Sequence, residues 1–438
     1  MMKFTEKEIQ DYIWKNKHNF STMLDEDPQL TGYTFKDDLS DISAEALIKN
    51  RIYRKIERLH SKLFGMELIG CEVPLEQSNN STIRADFLAV FPGDTGIAVV
   101  ELKKSSQTER QAFTELLAYS NHLTTVFPAM SREDSIYILI APMTTRIARD
   151  AVIQTLTFDN RNIITLIPTL EDPQDISSLK LKLWVPSSSE LAQFSNLAFR
   201  DENFSVCKIV WEHVDEWWNP ETGENPTDEQ IARYNSISTL AAQQMEEAGI
   251  HGFTYCSQQW PELNFPFPNS LILVGLNPYA VGSVQYALKT DSNHGPFNLP
   301  KIGEVLGASL STDDNEFVMS DLYSVWCSQL FRIGKQVVEL STQTIDKTSG
   351  HLDQDFFDWE SYQQQFLEDV SCHNFLVRPT GIFRHMYGDV TAIDYDVCRS
   401  VGLENHPLHG DMHYVSINAL TSHYFFRQFL NRLFGYDE

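Results

Sequence analysis

Two short apolar runs joined by a tight turn constrain this chain more than any other feature. Residues 83–91 read Ile-Arg-Ala-Asp-Phe-Leu-Ala-Val-Phe, residues 92–96 read Pro-Gly-Asp-Thr-Gly, and residues 97–103 read Ile-Ala-Val-Val-Glu-Leu-Lys. Both runs are rich in β-branched and apolar residues, and the Pro/Gly turn between them folds them into a β-hairpin. Side chains alternate along a strand, so Glu101 and Lys103 share one face of the second strand. Two carboxylates, Asp86 and Glu101, and the Lys103 ammonium therefore converge at one edge of the hairpin.

That combination suits one kind of chemistry. Carboxylate oxygens hold a hard divalent cation such as Mg²⁺. The cation polarises a phosphate and activates water, and a neighbouring lysine steadies the charge that develops. The elements around the hairpin follow a definite order. Helical periodicity predicts a helix over 44–64, and the pattern then gives a strand over 66–75, the hairpin, a helix over 107–126, a strand over 135–141, a helix over 144–156 and a strand over 163–166. The spacing Asp86, Glu101-x-Lys103 within this α-β-β-β-α-β-α-β order resembles the PD-(D/E)XK nuclease superfamily. The resemblance covers residues 43–170. It implies a restriction-endonuclease-like mixed sheet flanked by helices, with Asp86, Glu101 and Lys103 catalytic and Mg²⁺ or Mn²⁺ as cofactor.

Two helices bear on the same site. In the first, Ile48, Ile52, Ile56, Leu59 and Leu63 form one apolar stripe, and Glu45 falls on it. Many members of the superfamily carry an extra metal-binding Glu on this helix, and Glu45 is its match, so the resemblance implies a metal set of Glu45, Asp86 and Glu101. The other reading is a first-turn Glu favoured by the helix dipole. Lys49, Arg51, Arg54, Lys55, Arg58 and Lys62 make this helix locally basic, as either a phosphate-facing surface or a solvated charged face. The second helix opens on a capping-box pattern at 106–109. Some branches of the superfamily carry Gln-x-x-x-Tyr here. This chain has Glu115 and Tyr119, so the first position departs from the motif, and Tyr119 serves core packing equally well.

Composition sets outer limits. A chain of 438 residues suggests two or three domains, and no stretch approaches the roughly 20 apolar residues of a membrane span. The opening residues lack the apolar core of a signal peptide, and the six cysteines contain no Cys-x-x-Cys pair, which together predict a cytoplasmic protein with reduced thiols. A formal net charge of −26, heavier beyond residue 175, opposes non-specific DNA binding. It suggests local basic patches, regulated activity, or a partner chain or second copy that supplies positive surface. The expected organisation is an N-terminal helix and acidic loop over 1–42, the nuclease-like domain over 43–175, a connection over 176–205 and a C-terminal α/β recognition domain over 206–438.

The C-terminal region carries a second constellation. A buried strand over 270–275 runs into Leu276-Asn277-Pro278-Tyr279, which places an amide at the strand's carboxyl end, where ligands bind in open α/β sheets. Gly295-Pro296-Phe297 precedes a helix over 300–310. Residues 316–322 read as a strand, His406-Pro407 precedes an irregular loop, and a helix over 422–434 closes the chain. Their order resembles the uracil-DNA glycosylase-like fold. The resemblance implies a base pocket in which Phe297 stacks, Asn277 positions a water and His406 stabilises charge, with Tyr279 and Asp321 beside them. Asp321 stands where that family's uracil-reading Asn falls, and Leu408 replaces the Ser of its His-Pro-Ser motif. Both point away from uracil excision and toward sensing another base. The histidines at 406, 409 and 413 lack a matched Cys pair, so zinc is not expected.

The expectation is thus a metal-dependent DNA endonuclease whose C-terminal domain senses a feature such as a modified or phage-derived base, an arrangement that on analogy suits antiphage defence. A nuclease-fold binding subunit and a base-excision glycosylase with an accessory nuclease domain are the competing readings.

Overall fold

The computed structural model describes residues 3–25, 30–35, 42–74, 84–105, 109–211, 227–258, 269–291, 301–311, 316–343, 352–372 and 376–401. The chain divides into two compact units. The first comprises Met1–Thr34 and Ile48–Leu191, and the second Phe35–Leu47 and Ala192–Glu438.

In the first unit the elements are α1 (Glu6–Lys15), α2 (Ala44–Leu63, whose first turn falls in the second unit), β1 (Glu67–Pro74), β2 (Arg84–Val90), β3 (Ile97–Leu102), α3 (Glu109–Val126), β4 (Ser135–Ile140), α4 (Arg146–Leu156), β5 (Asn162–Leu170) and β6 (Leu179–Trp184). From α2 to β5 this is the order the sequence predicts. One mixed sheet runs β1-β2-β3-β4-β5-β6. The β1–β2, β2–β3 and β5–β6 pairs are antiparallel, while β3–β4 and β4–β5 are parallel.

Alternation decides which residues enter the core. Ala98, Val100 and Leu102 of β3 join Phe87 and Ala89 of β2, Ile136, Ile138 and Ile140 of β4, and Leu59 and Leu63 of α2. Glu101 and Asp86, one residue out of phase, fall on the other face of the sheet. Helix α1 docks through Ile9 and Ile13, both fully buried in the same core. It opens on a capping box in which Thr5 Oγ1 accepts from the Glu8 N–H and Glu8 accepts from the Thr5 N–H.

Two expected boundaries are corrected. The first residues are not a separate N-terminal segment, because burial of Ile9 and Ile13 makes α1 part of the core of the first unit. Residues 176–205 are not a connection. They contain β6, which pairs along β5, then α5 (Ser188–Ala198) and the start of the next strand.

The second unit holds β7 (Phe204–Trp211), α6 (Asp228–Glu247), β8 (Gly252–Gln258), β9 (Asn269–Leu276), α7 (Pro278–Thr290), α8 (Lys301–Ser311), α9 (Glu316–Gln343), β10 (Leu352–Asp358), α10 (Trp359–Cys372), β11 (Arg378–Thr380) and α11 (Ile382–Val401). Its sheet runs β10-β7-β9-β8-β11, with every pair antiparallel. All eight residues of the central strand β9 are buried. Helix α9 lies close against the sheet: a Cβ at Gly334 would stand 2.2 Å from Ile209 Cδ1. Residues 316–322, expected as a strand, are the first turns of α9. The reason is visible further along, where Trp326, Cys327, Leu330, Ile333, Val337 and Val338 form one buried helical stripe that carries its start with it. The Trp residues at 211, 326 and 359 are buried in this unit, so they pack the interior.

Candidate active site

The β2–β3 ladder ends at the pair Phe87↔Val100. Beyond that pair, the Leu102 N–H, two residues past Val100, donates to Oδ2 of Asp86, the residue before Phe87, at 2.7 Å. A carboxylate has thus taken the donor that a backbone carbonyl would otherwise receive. This sets Asp86 beside Glu101 at the carboxyl end of β3. The other Asp86 oxygen, Oδ1, accepts from Gln10 Nε2 at 3.1 Å, and Gln10 is itself buried.

Glu101 and Lys103 are 2% and 8% exposed. Lys103 Nζ donates to Glu101 Oε1, stands 2.9 Å from Glu115 Oε2 of α3, and lies 3.9 Å from Glu6 Oε1 of α1. Glu6 Oε2 also accepts from the Lys104 N–H at 3.1 Å. Gln111 donates to Glu115 at 2.8 Å from one turn earlier in α3. Tyr119, a turn beyond Glu115, donates its hydroxyl to the Arg84 carbonyl at 2.9 Å and ties α3 to β2.

Burial sets the electrostatics. It pushes the Glu101 carboxyl far above its ordinary range, to about 10, with the Glu115 carboxylate and the Asp86 charge adding to it and Lys103 opposing. Burial also disfavours the Lys103 ammonium, but the bonds and charges of Glu101 and Glu115 outweigh it and hold the group above the usual lysine range. Burial works to raise Glu115, yet its bonds to Glu101 and Lys103 prevail and hold it low. Asp86 is raised by burial against the pull of the Leu102 N–H and Lys103. Near neutral pH the cluster therefore holds a proton on Glu101, a charge on Lys103 and an ionised Glu115.

Glu101 Oε2 is buried without a hydrogen-bond partner. An orphaned carboxylate oxygen beside a second carboxylate is the setting in which a hard cation replaces a proton, so Asp86 and Glu101 fit a Mg²⁺ or Mn²⁺ ion. Among the described residues no ready-made group of three acidic, His or Cys side chains is gathered for a metal. Glu45 lies in the first turn of α2, and the carboxylates within 4.0 Å of Lys103 among the described residues are Glu6, Glu101 and Glu115.

The fold brings Asp86, Glu101 and Lys103 together at the end of β3. Sequence reasoning missed Glu6 and Gln10, and it left Glu115 without a role. The signal for Glu115 was its i, i+4 spacing to Tyr119 on α3. Nothing local marked Glu6 and Gln10, which lie on a separate helix.

In the second unit Asn277 is fully buried. Its Oδ1 accepts from the Tyr279 and Ala280 N–H groups, capping α7 with Pro278 in the first turn. Its Nδ2 donates to Ser205 Oγ at 3.1 Å. Every hydrogen-bonding atom of that side chain is engaged within the unit. Tyr279 is half-buried against the core around α9. Asp321 lies within α9, and its side chain, like Phe297, His406 and the helix expected over 422–434, is outside the described residues.

No protein-family model matches the chain, and no curated protein or solved structure is significantly similar to it. Among the described residues no helix is long and apolar enough to cross a membrane, and Cys71, Cys207, Cys256 and Cys327 are free thiols.

Proposed function

We propose that this chain is a metal-dependent endonuclease that hydrolyses DNA phosphodiester bonds at Asp86, Glu101 and Lys103. The observation that carries the reading is the convergence of these groups at the carboxyl end of β3, with Glu101 Oε2 buried and unsatisfied. Asp86 and Glu101 would hold Mg²⁺ or Mn²⁺, which when bound polarises the phosphate and lowers the pKa of water. The Leu102 N–H and Gln10 fix the orientation of Asp86. Lys103 keeps its proton and presents a fixed positive charge where negative charge builds on the phosphate oxygens. Glu115 holds Lys103 from the far side and so orients it. The second unit would supply recognition of a DNA feature such as a modified base, on the motif resemblance over about 270–435.

The test is cleavage of plasmid DNA by the pure chain with Mg²⁺ or Mn²⁺, beside a Glu101→Ala/Lys103→Ala variant, on unmodified, uracil-containing and hypermodified phage DNA. Cutting by the parent alone supports the assignment. Equal cutting by the variant sinks it.

A second reading has its own support. Lys103 is already bracketed by Glu101 and Glu115, and the chain is strongly acidic. Both suit a nuclease-fold subunit that binds within a larger complex without cutting. Absence of cleavage on every substrate would favour it.

A further inference from the structure

The basic stripe of α2 has no part in the site above. Lys55 is 9% exposed, yet no carboxylate lies within 4.0 Å of its ammonium among the described residues. Its hydrogen bond goes to the neutral Asn160 Oδ1 at 3.1 Å. The same oxygen accepts from Arg51 Nη2 at 3.1 Å, one turn earlier on α2. One turn later, Arg58 Nη2 donates to Asn162 Oδ1 at 3.0 Å and approaches Glu133 Oε2 at 3.3 Å. Asn160 has a positive φ of 50°, a conformation that Asn tolerates better than most residues.

Arg51 and Lys55 thus share the Asn160 amide oxygen in the turn before β5, and Arg58 meets Asn162 and Glu133 beside it. A buried ammonium costs free energy unless an anion or several acceptors meet it. Lys55 has three N–H donors and spends one on Asn160. Arg58, of these three cations, lines an open cavity of about 810 Å³ together with Lys62, Asp94, Thr95, Glu133 and Asn162.

The geometry points to a phosphate-binding site formed by Lys55 and Arg58, with Arg51 beside them, distinct from the cleavage centre. A tetrahedral oxyanion accepts from a point-charge ammonium and a guanidinium fork together. The site is on the α2 face of the sheet at the amino ends of β4 and β5, whereas Glu101 and Lys103 are on the other face at the carboxyl end of β3. Along the parallel ladder, Ile136 beside Asn162 and Ile140 beside Lys103 are four residues apart, roughly 13 Å. A phosphate here is therefore not the one being cut. It belongs either to a free phosphate-bearing ligand or to the backbone of a nucleic acid lying across this edge.

Burial, with the charges of Arg51 and Arg58, pulls the Lys55 ammonium down to about 8, against Glu133. Those are the charged groups facing it from α2 and from the turn before β4. A bound phosphate dianion needs Lys55 protonated, so affinity should weaken as pH rises above about 8.

The experiment uses the full chain in EDTA at fixed ionic strength, with chloride as the balancing anion. Inorganic phosphate is titrated calorimetrically in one arm and a short DNA duplex in the other, against parent, Lys55→Met and Arg58→Gln. Lys55→Met keeps the packed aliphatic stem, and exposed Arg58 tests the same site without touching the buried stem. Each variant should weaken binding about tenfold or more. A loss confined to inorganic phosphate identifies a free phosphate ligand, and a loss confined to duplex identifies a backbone phosphate. Parent-like binding by both variants in both arms, or no phosphate or duplex binding by the parent, overturns the proposal.

Discussion

Replacing Glu101 by Gln tests the protonation of the buried cluster directly. In the unfolded chain this carboxyl titrates at 4.5, and in the fold it is pushed to about 10. A raised folded pKa means that stability is fully present below pH 4.5 and is lost as pH rises through the folded value. At neutral pH the parent has therefore lost about 2.5 pKa units of stability at this residue, roughly 3 kcal/mol as an upper figure. The amide is always neutral. Its oxygen can accept from Lys103 as Glu101 does. Metal-free Glu101→Gln should then be more stable than the parent at pH 7, by up to roughly 6–10 °C in melting temperature for a unit of this size. The gain should shrink toward zero near pH 4.5. Thermal unfolding by circular dichroism at pH 4.5, 6 and 7 in EDTA reads this out, and the same preparation should cleave no DNA. A variant less stable than the parent by a similar margin at every pH would refute the reasoning, because Glu101 would then be an ionised partner of Lys103.

Other expectations follow from individual contacts. Lys103→Ala should lower cleavage by about 10² or more while the far-ultraviolet spectrum stays native, and full activity would remove Lys103 from the site. Glu115→Gln should leave the fold intact and lower the pH at which Glu101 ionises, measured by carboxyl titration in NMR; an unmoved Glu101 would mean that the two side chains do not interact. Gln10→Ala leaves Asp86 Oδ1 without its side-chain donor. It should cost about 1 kcal/mol in urea unfolding and about tenfold or more in Mg²⁺ affinity; parent-like affinity would confine Gln10 to a packing role. Asn277→Ala removes a helix cap and a buried donor, and should destabilise the second unit by about 1–2 kcal/mol. If it alters substrate choice at unchanged stability, the amide is a ligand-binding group and not a structural one.

The hairpin, the order of elements from α2 to β5, and the shared face of Glu101 and Lys103 were all legible in the chain itself. Periods of 2 and 3.6 are local properties, and the turn at 92–96 fixes which strands meet. The same local reading misjudged residues 316–322. Their apolar residues satisfy a short strand, and only the buried stripe from Trp326 to Val338 shows that they begin a 28-residue helix. Asn277-Pro278 looked like a ligand-bearing turn, and the folded unit turns that amide inward onto α7 and Ser205.

What tertiary structure alone decided is the company these groups keep. Gln10 reaches Asp86 across 76 residues of sequence, and Glu6 reaches Lys104 across 98. Those meetings depend on Ile9 and Ile13 burying α1 in the core of the mixed sheet. The proton on Glu101 likewise has no trace in the sequence. It arises because the fold strips water from Glu101 and brings it against Glu115 and Asp86. A pattern of residue types can name a carboxylate, but its charge is set by surroundings that exist only once the chain has folded.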